Sequence, residues 1–422
     1  MYSSQLVAIR RGIVERTLAQ DLPRGLQEFS VEEVKEFQSR MADLWDRKGV
    51  QTRPLSKAEQ AFVVNEQILG KIDFKYFSER YTTINIGGQA LGKLYPLWET
   101  QKLILAEIAK IEWANYEQGH PDGIVVNLLK DRQVGGSTLS IAILAHRLLT
   151  HANVFGLLAS DVPDSSDFLW DMFERIYDHL PWYMKPTAKE RVKNDLFLFG
   201  TESHLFWGAS KSTRGADKSG RNAQDGLKGQ LARGKTLSCI HNSELATWTR
   251  PEQIDVSLKP AVAVSPLTFW MRESTAQGRG KTNWWWLEWQ LAKSGKSRAH
   301  NIFIPWYAEA SRHWLPTPVD WSPSLTTLTH ARRAEEQGPR WLHRPVKLSR
   351  EQLCWYETTR AEAEAKEQLE EFLQEHPADD DEAFQYATKS VVPVLLRERI
   401  KAQARPLKGM IDVKPYREIA HV

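Results

Sequence analysis

From about residue 95 to residue 310 the chain alternates short apolar, β-branched runs with segments of helical period. The runs fall at 124–129, 154–159, 196–199, 205–207, 237–241, 267–271 and 301–304. Each is the length of a buried strand, and the segments between them are long enough for crossover helices. That rhythm predicts an α/β fold, with a mostly parallel central sheet flanked by helices. The link Gly200-Thr201-Glu202-Ser203 predicts a small hairpin added to the sheet. Residues 1–75 read as polar and helical. Ser30-Val31-Glu32-Glu33 forms a capping box at a helix start, and Pro23 and Pro54 mark breaks. Residues 206–235 are rich in Gly, Ser, Lys and Arg and read as a basic loop. Prolines at 316, 318 and 323 mark a boundary, and 350–375 is one strong helix former. The pattern divides the chain into a helical N-terminal region (1–75), a core (76–310), a helical lid or C-terminal subdomain (311–390) and a linker (391–422).

The chemistry is concentrated after the first run. Lys130-Asp131-Arg132-Gln133-Val134-Gly135-Gly136-Ser137-Thr138 separates that run from an apolar helical pattern at 139–149. Strand, glycine turn, hydroxyl pair and helix is the layout of a phosphate-binding loop. Its N–H groups and the helix N-terminus converge on an anion. The usual form is G-x-x-x-x-G-K-[ST]. Here Lys130 stands at the first position and Gly136 where the lysine belongs, so the cations Lys130 and Arg132 sit at the front. Ser137 still offers a hydroxyl to magnesium. A Gly-Gly turn with incidental charges is the competing reading of the loop alone.

Composition narrows the setting. The 422 residues carry a net charge of +3, so global charge announces no nucleic acid. Residues 185–235 hold eleven Lys/Arg against five Asp/Glu, while 362–382 hold ten acidic residues and one lysine. This suggests a directed electrostatic face, with the acidic run read as solvated surface. Cys239 and Cys354 alone give neither a zinc spacing nor a disulfide framework, which suits a reducing interior. Residues 1–11 lack the apolar core of a signal peptide, and no run reaches the length of a membrane span. Trp284-Trp285-Trp286 with Trp289 reads as a buried helical wedge, with stacking on bases as the other possibility.

A triphosphate hydrolase also needs a carboxylate to orient water. Thr236-Leu237-Ser238-Cys239-Ile240-His241-Asn242-Ser243-Glu244 is an apolar strand with a polar tip, and Glu244 supplies that acid. The usual tip is Asp-Glu. Ser243 replaces the Asp, so it reaches a metal only through water, and magnesium rests mainly on the nucleotide and Ser137. The next run ends in Arg272-Glu273-Ser274-Thr275-Ala276-Gln277-Gly278, whose small hydroxyl residues suit a relay of phosphate loss. Upstream, Gln101 has the amide for an adenine edge. Tyr95 and Trp98 offer rings for stacking.

The ordered set runs Tyr95, Gln101, the loop 130–138, Ala232-Arg233-Gly234, Asn242-Ser243-Glu244-Leu245-Ala246-Thr247-Trp248, Glu273-Ser274-Thr275-Ala276-Gln277-Gly278 and Pro305-Trp306-Tyr307. It resembles the ATPase part of the large terminase subunit of tailed bacteriophages, over residues 90–310. Asp380-Asp381-Glu382-Ala383-Phe384-Gln385-Tyr386 is similar to the segment preceding the nuclease domain there. The resemblance implies a P-loop NTPase fold with an additional strand, and an ATP- and Mg2+-dependent motor that moves double-stranded DNA into a procapsid. It implies that Gln101, with Tyr95 and Trp98, holds adenine. Lys130, Arg132, Gln133, Gly135, Gly136, Ser137 and Thr138 would hold phosphates and magnesium. Glu244 and Arg132 would be catalytic, and Ser274, Thr275 and Ala276 the coupling motif. It further implies the portal protein and small terminase subunit as partners, a homo-oligomeric ring, no membrane, and a place in the host cytoplasm docked transiently on the procapsid. An arginine from a neighbouring subunit would complete the site, with Arg214, Arg221 and Arg233 as candidates. The basic stretch 211–235 would touch DNA phosphates. The chain reads as a motor domain without the nuclease. A helicase-like ATPase, or a DNA-binding capsid-assembly component with a degenerate ATP site, are the other readings.

Overall fold

A computed structural model describes residues 29–44, 51–85, 91–94, 96–118, 123–192, 195–209, 236–248, 250–280 and 283–384. Tyr95, the stretch 211–235 with Arg214, Arg221 and Arg233, and the segment 391–422 lie outside these residues.

Ser30 and Glu33 form the reciprocal cap expected of them. The Glu33 N–H donates to Ser30 Oγ at 3.2 Å and the Ser30 N–H to Glu33 at 2.7 Å. This starts α1 (Val31–Arg40). Ser56 and Glu59 repeat the device at α2 (Lys57–Ile72), just after Pro54. Then come α3 (Phe74–Tyr81), a small antiparallel pair β1 (Thr83–Asn85) and β2 (Leu91–Lys93), and α4 (Glu99–Glu117). The sequence pattern does not mark β1 and β2, because three residues are too few to show a period of two.

The apolar runs become strands. β3 (Ile124–Lys130) leads through the glycine loop into α5 (Gly136–Thr150). β4 (Phe155–Ser160) and α6 (Pro163–Asp178) follow. β5 (Thr187–Val192) is an unmarked strand with mostly exposed polar side chains, which fits a sheet edge. β6 (Asp195–Phe199) and β7 (Ser203–Ala209) are the expected hairpin. β8 (Cys239–Ser243), α7 (Pro251–Leu258), β9 (Phe269–Ser274), α8 (Trp284–Lys293) and β10 (Ala299–Ile304) complete the core.

The eight-stranded sheet has the order β10-β3-β9-β8-β4-β7-β6-β5. The strands from β10 to β7 pair in parallel, and β6 and β5 are antiparallel. β9 is the additional strand, inserted between the loop strand β3 and the strand that leads to Glu244. The chain leaves β3 for β4 on one side, while β10 returns on the other. Such a switch opens a crevice at the carboxyl ends of the strands, where α/β sheets bind ligands.

Successive residues of β3 face opposite layers, as strand geometry requires. Val126 and Leu128 join a core with helices from α1 to α6, whereas Leu129 joins a second core with Trp285 and Trp289. Trp285 and Trp289 are almost wholly buried, so the tryptophan cluster is packing. Beneath it Arg272 is buried between Asp255 at 2.6 Å and Glu288 at 3.1 Å, with its guanidinium 4.0 Å from the Trp270 ring centre.

After β10 the chain is helical, with α9 (Leu325–Leu342), α10 (Arg350–Ala365), α11 (Leu369–Glu375) and α12 (Asp380–Ala383). The single helix expected over 350–375 is broken, with Glu367 in the left-handed region at φ 58°. Helix propensity favours continuation, but Leu369, Phe372 and Leu373 are buried in the main core after the turn, and tertiary burial overrides the local preference. The acidic run is also not all solvated. Asp379 and Glu382 pair with Arg333, and Asp380 accepts from Trp289 and Lys293. Among the described residues, no helix is long and apolar enough to cross a membrane.

Candidate active site

Gly135 ends the loop in the left-handed region (φ 75°, ψ 15°) and caps α5 without any side-chain hydrogen bond. The first N–H groups of a helix have no partner within it, and with the helix dipole they favour an anion. Gly136 answers the displaced lysine. A Cβ built there would lie 2.8 Å from Lys130 Cδ and 3.1 Å from Glu273 Oε2. The Lys130 stem therefore crosses the space that a side chain at 136 would fill. The cation missing from the end of the loop is delivered from its start.

Lys130 is buried, and its Nζ donates to Glu244 Oε1 at 3.4 Å. Burial alone depresses a lysine. Here Glu273, Glu244 and Asp131 outweigh it and hold the ammonium above its ordinary value. Glu244 is itself in the left-handed region at φ 51°, an unfavourable place for a side chain of this kind. The N–H and hydroxyl of Thr247 both donate to its carbonyl, at 3.0 and 2.8 Å, and fix that turn. Its side chain is 39% exposed, so water has access.

Glu273 is wholly buried on β9, in register with Leu128 of β3 and Ser243 of β8. Its Oε1 accepts from His241 Nε2 at 2.9 Å and from Ser243 Oγ at 3.2 Å. Its Oε2 is buried without a hydrogen bond of ordinary geometry. Burial pushes this carboxyl up. The Lys130 ammonium overcomes that, helped by His241 and the nearby Ser137 hydroxyl, and holds it well below the usual carboxylate range. Glu273 is thus a buried anion at the centre of the site.

The segment 274–278 bridges Glu244 to the helical segment. Ser274 Oγ donates to Glu244 Oε2 at 3.5 Å and accepts the Ala246 N–H at 3.1 Å. Thr275 Oγ1 donates to Glu375 at 3.5 Å, and the Gly278 N–H donates to Gln374 at 2.7 Å. Ala276 is buried in the second core. Arg132 does not lie with Lys130 and Glu244 in this structure. It is exposed and ion-paired with Glu375.

Gln101 is buried against the loop. Its Nε2 donates to the Gly135 carbonyl at 3.2 Å and its Oε1 accepts the Trp98 N–H at 3.1 Å. One amide hydrogen and one lone pair remain for a ligand. The Trp98 ring lies 5.3 Å from the Arg312 guanidinium, which donates to Gln133 Oε1 at 2.7 Å. These residues form the loop's outer rim.

Sequence reasoning gave no role to Asp131, Glu273, His241, His313 or His376. For Glu273 a signal was available: a charged pair, Arg272-Glu273, closes an otherwise apolar strand. Asp131 is buried and accepts from His313 Nε2 at 2.6 Å and from His376 Nδ1 at 2.7 Å. Burial pushes its carboxyl up, and the two imidazole bonds more than reverse this, leaving it below its ordinary value. The sign follows. A group depressed in the folded state stabilises fully above its unfolded value, about 3.9, and that contribution drains as pH falls through the lower folded value. Asp131→Asn keeps one acceptor and turns an amide N–H toward the other imidazole. We expect a loss of about 1–3 kcal/mol in thermal or denaturant unfolding, faster hydrogen exchange at 369–384, and a flatter acid limb. An unchanged melt with an unchanged acid limb would contradict the clasp.

No family model matches the chain, and no curated protein matches it. Among solved structures it is similar to the large terminase of bacteriophage HK97, with 13% identity and a TM-score of 0.43 over 70% of this chain and 52% of that one. It is also similar to the large terminase of a thermophilic bacteriophage, with 12% identity and a TM-score of 0.35 over 57% of this chain and 50% of that one. The chain thus spans about half the length of each. Likeness at this level adds no weight to the α/β architecture, which stands on the strand order, the glycine loop and the additional strand described above.

Proposed function

We propose that this chain binds Mg·ATP at the loop 130–138 and hydrolyses it, as the ATPase motor of viral double-stranded DNA packaging. The observation that carries the reading is the convergence of Lys130, Ser137, Glu244 and Glu273 at the carboxyl ends of β3, β8 and β9, beside an uncapped helix N-terminus. The large-terminase resemblance supplies the DNA-packaging context, with the portal protein, small terminase subunit, homo-oligomeric ring and procapsid docking as further proposals.

The chemistry follows from the residues. The loop N–H groups and Lys130 take the phosphates, and Gln101 takes the adenine edge. Magnesium arriving with the nucleotide neutralises phosphate charge. Oxygen donors such as Ser137 and a carboxylate suit a hard cation. Before nucleotide binds, Lys130 is the partner of Glu244. A terminal phosphate competes for that ammonium and releases Glu244 to accept a hydrogen bond from the attacking water. Glu244 orients that water while Lys130 and the loop dipoles stabilise charge on the transferred phosphoryl. Loss of the phosphate returns Lys130 to Glu244. Ser274 and Thr275 join Glu244 to Glu375, which gives the helical segment 311–384 a way to follow the change.

The test is phosphate release by the wild-type chain with and without linear duplex DNA. Duplex should raise turnover regardless of sequence, and rising salt should erase the increase, because the contacts are to phosphates. Turnover indifferent to duplex at low salt would remove the packaging reading. Strand separation of a forked substrate would favour a helicase.

A further inference from the structure

Position 243 is where an acid would hold the water shell of magnesium, and Ser243 brings no charge. The register places Glu273 of β9 directly beside it. Paired residues on adjacent strands face the same side, so both side chains point toward the layer of α5. The Ser243 hydroxyl donates to Glu273 Oε1 at 3.2 Å and fixes that oxygen. β9 lies between β8 and β3, so Glu273 stands one strand nearer the loop than position 243 does.

The other oxygen points the same way. Glu273 Oε2 is fully buried, has no hydrogen bond of ordinary geometry, and lies 3.1 Å from where a Cβ of residue 136 would sit. An ionised carboxylate with an unpartnered oxygen is expensive to bury. Lys130, His241 and the nearby Ser137 hydroxyl compensate its charge, but His241 bonds the other oxygen and none of the three makes an ordinary hydrogen bond to Oε2. Ser137, the residue with a hydroxyl for the metal, is next in the chain.

We infer that Glu273 is the acid that holds the magnesium of the bound nucleotide, through a metal-bound water and together with Ser137. The role has moved one strand across from position 243, and Ser243 orients the acid that replaced it. The inference rests on the Mg·ATP reading above. Magnesium keeps several waters and is anchored by one or two carboxylates plus phosphates, so a water-mediated place for Glu273 fits its coordination habits.

The experiment measures binding of a fluorescent, slowly hydrolysed ATP analogue by anisotropy, in Mg2+ and in EDTA. It compares wild type, Glu273→Gln and Ser243→Asp/Glu273→Gln, with melts confirming folding. Wild type should bind more tightly with Mg2+, and Glu273→Gln should lose about tenfold to a hundredfold of that metal-dependent gain. Its EDTA affinity should hold or improve, because Lys130 is then freer for phosphate. Ser243→Asp/Glu273→Gln returns an acid to the neighbouring strand and should recover part of the gain. If Glu273 were only a counter-ion for Lys130, Glu273→Gln would shift both affinities by one factor and leave the gain intact, which overturns the inference while the ATP reading survives. Wild type that binds no nucleotide in either condition overturns both. If Glu273→Gln does not fold, Glu273→Asp decides in its place. A reduced metal-dependent gain supports the inference, and a full one overturns it.

Discussion

Lys130→Ala should lower ATP turnover by about a hundredfold to a thousandfold, the scale seen when one preorganised charge-stabilising group is removed. The variant also leaves Glu273 buried without its main cation. Breaking such a pair from one side costs about 3–5 kcal/mol, so the melt should fall as well. Loss of activity alone would therefore not separate chemistry from folding. Gly136 offers the means to do so. A lysine at 136 in the wild-type background collides with the Lys130 stem, since its Cβ would lie 2.8 Å from Lys130 Cδ. Gly136→Lys alone should be inactive and destabilised. Lys130→Ala/Gly136→Lys removes the obstacle and restores a cation from the other end of the loop. It should recover turnover and part of the melting temperature relative to either single change. Two single losses that simply add in the double variant would show that the stem of Lys130 and position 136 do not share one space. The readouts are phosphate release and thermal unfolding.

Glu244→Gln should reduce phosphate release by about a hundredfold to ten-thousandfold, the range for loss of a positioned acid–base group. Nucleotide affinity should be retained or increased. In the free protein Glu244 competes for Lys130 at 3.4 Å, and an amide competes less well than a carboxylate. The fold is little affected because the side chain is part-exposed. Binding measured by anisotropy and turnover measured on the same preparation give the required split. Equal turnover in variant and wild type would mean that another group aims the water.

Much of the core was legible because it rests on period. The runs at 124–129 and 301–304 contain no polar interruption except Asn127 and Asn301, and these two hydrogen-bond across β3 and β10 at 3.0 Å. The capping box at Ser30 is local chemistry, readable within four residues. β5 escaped because an edge strand needs no apolar face. The break after α10 escaped because Lys366, Glu367 and Gln368 are good helix formers, and only burial of Leu369 and Phe372 turns the chain.

The site divides in the same way. Gly135, Gly136, Ser137 and Glu244 stood out as candidates because they sit in local turns at strand ends, where residue type and spacing can be read directly. Glu273 could not be assigned, because its meaning depends on a strand order that puts residue 273 beside 128 and 243. The Asp131 clasp joins residues 182 and 245 positions apart, beyond any spacing rule. Arg132 shows a partner that the sequence did not announce. Its place in the loop suggested a phosphate ligand, yet a glutamate more than two hundred positions onward holds it in this structure.

Gln374, Glu375 and His376 grip three separate points: the exit of β9 at Gly278, the Arg132 side chain and the Asp131 carboxylate. Three consecutive residues tied to three anchors behave as a strut. A slide at the exit of β9 would drag the front of the glycine loop or break one of those ties. A displacement at the glycine loop therefore needs no long relay of side chains to reach the outer helices. It travels the length of a single tripeptide.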